Sequence, residues 1–236
     1  MIRQYYRRKF RMPFTWVIIT AIFCRFILII SDYSKHYSPD IKFRLVFGTA
    51  DVMVLFFFPL FLFYCFCCIN FFQSSEVIYR LKTFQKAWYQ AEYVLLLESV
   101  SYICIYYIMV FLTYFLVNDV SGFWTLFPKA LVVIGVQCMT AFAYSLLFMF
   151  FSILVKNVAV GFLISYLFIM LEKVYVSISG NEPIYFIGGI LYEPQNESSA
   201  VTIMLLIATI TIFHFLGLNF YRNQDILSKN GNQNEN

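Results

Sequence analysis

Six apolar runs, most of them roughly 20 residues long and so able to cross about 30 Å of hydrocarbon as helices, leave this 236-residue chain little from which to build a water-soluble domain. They fall at about 13–30, 45–72, 93–117, 129–155, 158–171 and 200–221, and the fifth is short. The composition agrees. Hydrophobic residues make up 61% of the chain and charged residues 13%, against about 25% charged in a soluble domain. The expected fold is an all-α polytopic bundle: a basic interfacial segment (1–12), a six-span transmembrane domain (13–221) and a polar cytoplasmic tail (222–236) whose composition predicts disorder. The basic start resembles a signal peptide, but no small-residue cleavage site follows Ile30, so the first run is read as a retained span.

Lys and Arg positions set the orientation, because cytoplasmic flanks are enriched in them. With the N-terminus inside, the basic cluster at 3–11, Arg80, Lys82, Lys86, Lys156, Arg222 and Lys229 are cytoplasmic, and Lys35, Lys42, Arg44, Lys129 and Lys173 lie outside. Both termini are then cytoplasmic. The net charge of +4 is small and sits beside the spans, which points to orientation in a membrane and away from nucleic acid. All six cysteines fall inside apolar runs and give no sign of a disulfide framework. Cys65, Cys67 and Cys68 admit a metal or acylation reading, but plain packing is favoured because no His lies near them.

Two polar segments carry helical periodicity. Ile2, Tyr6 and Phe10 recur every four residues with Arg3, Arg7 and Arg11 one position behind. That pattern fits a short helix on anionic headgroups, or arginines that merely set topology. Between the second and third spans, at 73–92, Val77, Leu81, Phe84 and Trp88 fall at helical spacing while Arg80, Lys82 and Lys86 occupy other faces and Tyr79 lies nearby. The expectation is one cytoplasmic amphipathic helix. It either rests at the interface or presents Phe84 and Trp88 to a partner protein.

Arg25, Asp51 and Glu98 stand inside apolar runs, where an unpaired charge costs roughly 2.5 to 3.5 kcal/mol on insertion scales. Arg25 and Asp51 lie at similar depth in antiparallel spans and are expected to pair. Glu98 lies in the cytoplasmic third of its span, close enough to snorkel or to accept from a basic residue of the loop. The outer stretch 173–199 alternates Gly and Pro with apolar residues such as Phe186, Ile187 and Ile190. It is too apolar for a free loop and too short to span twice, which predicts a re-entrant or interfacial hairpin.

No phosphate-binding loop, zinc-protease motif or nucleophile turn occurs, and His36 and His214 stand alone. An enzyme is therefore disfavoured.

Taken together, the basic segment at 3–11, the loop helix EVIYRLKTFQKAWYQAE, the short turn Lys156–Asn157 and the apolar outer hairpin give a chain that resembles a known family. The family is the permease subunits of type 2 ATP-binding-cassette exporters, in the small six-span form of bacterial peptide-export and bacteriocin-immunity systems. The resemblance implies a transport subunit in the cytoplasmic membrane that moves an amphipathic substrate, peptide or lipid-like. The loop helix would couple to a separate ATPase, with Phe84 and Trp88 as anchors and Arg80, Lys82 and Lys86 as rim charges. ATP and Mg would bind that partner and no cofactor this chain. A second permease chain, identical or homologous, would complete the path. The competing class is an ATP-independent immunity or accessory protein.

Overall fold

A computed structural model describes residues 2–11, 18, 53–117, 123–180, 185–190 and 198–231, and every regular element among them is helical. Five helices are long and apolar enough to cross a membrane, with windows at Val54–Phe72, Gln85–Ile108, Ala130–Leu154, Val158–Ser179 and Ala200–Phe220. The chain is a helical membrane protein. These five match the second to sixth expected spans. Of the first, 13–30, Ile18 alone is described, and Arg25 and Asp51 and the pair expected of them lie outside the described residues.

Helix α1 (Ile2–Arg11) is amphipathic, with Tyr5 and Lys9 turned inward, Ile2 and Tyr6 half-buried, and Arg3 and Arg7 exposed. The inward stripe thus contains a charged residue that the expected apolar face, Ile2, Tyr6 and Phe10, does not. A π-helical turn (Met53–Phe57) leads into α2 (Phe58–Phe72). The wide turn falls immediately before Pro59, which brings no backbone N–H and sits at the start of the α-helix, where none is needed.

The loop 73–92 is not one helix. Helix α3 (Ser75–Leu81) ends at Lys82, whose φ of 65° is left-handed, and α4 (Phe84–Val117) starts afresh two residues later. The Thr83 hydroxyl accepts from the Lys86 N–H at 3.3 Å and begins the new helix. An N-cap residue two positions after Leu81 therefore divides a segment whose apolar periodicity is continuous.

Helix α5 (Phe123–Leu154) is the centre of the bundle and packs on α2, α4, α6 (Val158–Ser179), α7 (Phe186–Ile190) and α8 (Ser198–Gly231). Of its apolar window 61% is buried, against 17% for α6 and 22% for α8, so those two present most of their surface outward. The α5–α6 turn is tight: Lys156 is left-handed, and the Asn157 side chain caps α6 by accepting from the Ala159 and Val160 N–H groups at 2.9 and 3.2 Å. Gly161 then lets the two backbones meet, since a Cβ there would lie 2.6 Å from the Ser152 Cα. The Tyr144 hydroxyl bridges the same helices by donating to the Ser165 carbonyl at 3.0 Å.

Helix α6 runs to Ser179, beyond the 14 or so residues expected, because Glu172 and Lys173 do not interrupt helical geometry even though they end the apolar run. Helix α8 likewise continues to Gly231, through residues expected to belong to a disordered tail and without a proline on the way. The core is aromatic, with Phe57, Phe58, Phe61, Tyr102, Tyr106 and Tyr144 in mutual contact at centroid distances between 5.0 and 6.5 Å.

Candidate functional site

The bundle encloses a charge cluster. Glu98, on α4 within an apolar window, has no exposed side-chain surface, and Lys9 from α1 pairs with its Oε2 while itself only 2% exposed. The Tyr5 hydroxyl donates to Oε1 at 2.9 Å. Burial holds the Tyr5 phenol far above its ordinary range, so it stays protonated and able to donate. The Lys9 ammonium also stands 3.2 Å above the centroid of the Tyr64 ring on α2. Tyr5 is seated by Phe71 and Phe72 at the last turn of α2, with ring centroids 5.5 and 6.3 Å away. The partner of Glu98 thus comes from the first basic segment and not from the loop, and Glu98 does not snorkel. Sequence reading missed it because a lysine flanked by Arg8 and Phe10 looks like a solvated charge; the available signal was that Tyr5 and Lys9 share one helical stripe.

At the end of the bundle where α2 turns into α4, α3 displays Tyr79, which is 86% exposed, beside exposed Arg80, Lys82 and Lys86. Trp88 behaves differently. It lies in the first turns of α4, 1% exposed, and packs so closely on α8 that a Cβ on Gly217 would come 2.6 Å from its Cε2. A side chain so placed belongs to the core, unlike exposed Tyr79. The Phe84 side chain lies outside the described residues.

No family model, curated protein or solved structure matches this chain.

Further polar contacts join distant parts of the chain. Nδ1 of His214 on α8 meets both carboxylate oxygens of Glu92 on α4, at 2.8 and 2.9 Å. Glu172 on α6 accepts from the backbone N–H groups of Tyr185 at 2.9 Å and Ile187 at 3.0 Å. It thereby fixes the start of the wholly buried helix α7. The Gln137 amide of α5 fixes its end by donating to the Ile190 carbonyl at 2.5 Å, and Gly189 rests against Thr140. The Tyr185 hydroxyl meets Thr209 of α8 at 2.6 Å. Among the described residues no three His, Cys, Asp or Glu side chains converge as a metal site, and the described cysteines are free thiols. The arrangement offers charge neutralisation inside the bundle and an exposed aromatic and basic surface at one end.

Proposed function

We propose that this chain is the membrane subunit of an ATP-binding-cassette exporter, moving an amphipathic peptide or lipid-like substrate with energy from a separate ATPase that holds ATP and Mg. In this reading it has six spans, both termini in the cytoplasm, and a second permease chain beside it. Helix α1 lies at the inner interface with Arg3 and Arg7 toward headgroups. Helix α7 is the floor of a re-entrant hairpin, and protein side chains bond the backbone at both its ends, as burial away from water requires.

The single observation that carries the reading is α3. A two-turn helix set between two long apolar helices, ending in a left-handed lysine and projecting an exposed tyrosine among basic side chains, has the form of a docking element for a groove on an acidic partner. Tyr79 replaces Trp88 as the anchor, because Trp88 is occupied within the chain. Closure of the ATPase pair would push on α3 and, through it, on the ends of α2 and α4.

The test is affinity purification of the tagged chain from its native membrane, wild type beside Tyr79→Ala/Arg80→Ala, with mass spectrometry of what accompanies it. An ATPase present with wild type and depleted with the variant supports the assignment. Wild type without an ATPase moves the assignment to an ATP-independent immunity or accessory protein.

A further inference from the structure

We infer that Glu98 and Tyr64 form a binding site for a primary alkylammonium group, and that Lys9 is its resident, exchangeable occupant. The walls and the occupant come from different places. Glu98 and Tyr64 belong to α4 and α2, two of the long apolar helices, and are 0% and 7% exposed. The ammonium arrives on α1, a ten-residue helix whose other face carries exposed Arg3 and Arg7.

The chemistry of the walls selects the ligand. A carboxylate supplies charge, and an aromatic face 3.2 Å below the nitrogen supplies the quadrupole that cations prefer. The compact head on a flexible alkyl stem that Lys9 places there is what such a seat fits, whereas a guanidinium would ask for a bidentate partner at the carboxylate. Tyr5, which donates to the same carboxylate, packs on the Phe71 and Phe72 rings, so the surroundings of Glu98 are aromatic and suit an ammonium that carries an apolar tail.

The same geometry makes the occupancy an exchange. Withdrawal of Lys9 by itself would strand an ionised carboxylate among apolar helices, which is costly. Entry of another ammonium removes that cost, and α1, amphipathic and basic on its outer face, has the headgroup surface to retire to. The ligand class is therefore an amphipathic primary amine, such as a lysine-bearing peptide. Its identification with the transported substrate rests on the exporter reading; its binding to the isolated chain does not.

The test uses the purified full chain in lipid nanodiscs without any ATPase, titrated with dansylcadaverine, a fluorescent primary amine with an aromatic tail, and with its N-acetylated, uncharged form. Wild type should bind the amine saturably and the acetylated probe not at all. Lys9→Ala, with Lys9→Gln as a second variant in case the first does not fold, should bind the amine about tenfold or more tighter, the factor expected if Lys9 holds the seat for about nine-tenths of the time. Glu98→Gln should lose the binding and Tyr64→Leu weaken it. Equal affinity in wild type and the Lys9 variants, binding retained by Glu98→Gln, or equal binding of the acetylated probe would overturn the site. If no variant folds, the two probes on wild type decide: no saturable preference for the charged form overturns it. Amine binding by a chain that captures no ATPase would keep the site and remove the exporter role; an ATPase captured by a chain that binds no amine would do the reverse.

Discussion

Glu92 on α4 holds the ring nitrogen of His214 on α8 across 122 positions of sequence, with both carboxylate oxygens within 2.9 Å of Nδ1. Since α8 buries only 22% of its apolar window, contacts of this kind decide where it sits.

The first prediction concerns that pair. Both side chains are partly exposed, so the coupling should be modest, about 0.5 to 1 kcal/mol in a double-mutant cycle. Thermal unfolding in detergent of Glu92→Gln, His214→Asn and the double variant would measure it. Strict additivity of the two single effects would show that the contact does not position α8.

One turn further along α8, Gly217 provides the opening into which Trp88 packs. Gly217→Ala places a methyl group against the indole and should cost about 1 to 3 kcal/mol by overpacking. Gly217→Leu should separate the two helices, which quenching of Trp88 fluorescence by a water-soluble quencher would report as new access. An unchanged melting temperature in both variants would contradict the contact.

A third prediction follows from the α5–α6 crossing. Gly161→Val should destabilise more than Gly135→Val, because a Cβ at Gly161 meets the Ser152 backbone at 2.6 Å whereas nothing lies within 4 Å at Gly135. Comparison of the two melting temperatures checks this with matched chemistry.

Glu172 supports α7 through charge-assisted bonds to two backbone N–H groups. Glu172→Gln keeps one acceptor oxygen and loses the other, which should cost about 1.5 to 3 kcal/mol. Limited proteolysis should then cut more readily between Gly180 and Ser198. Cleavage equal to wild type would show that α7 does not depend on the carboxylate.

The sequence exposes the features that repeat along one helix and hides those that join two. The spans later seen at Val54–Phe72, Ala130–Leu154 and Ala200–Phe220 are legible because hydrocarbon demands long uninterrupted apolar runs. The end of α6 is not, since hydropathy falls at Glu172 while helical geometry continues to Ser179. Periodicity through 73–92 is continuous, yet the capping chemistry of Thr83 and the left-handed Lys82 divide it. Glu98 announces itself as a charge needing a partner, but nothing along the chain says that the partner is Lys9, 89 positions away. His214 reads as a lone packing residue until folding brings Glu92 beside it. Trp88 has the spacing of an exposed anchor, and only the missing side chain at Gly217 reveals where it goes.

The central claim, that α3 couples this chain to an ATPase, is tested most directly by ATP hydrolysis. Membrane complexes purified through the tagged chain would be reconstituted in liposomes and assayed for vanadate-sensitive hydrolysis, wild type beside Tyr79→Ala/Arg80→Ala. The account predicts hydrolysis with wild type and a loss of at least about tenfold with the variant, the effect of removing an anchor worth about 1.4 kcal/mol or more. A wild-type preparation that is pure, folded and without hydrolysis, or a variant indistinguishable from it, would contradict the account.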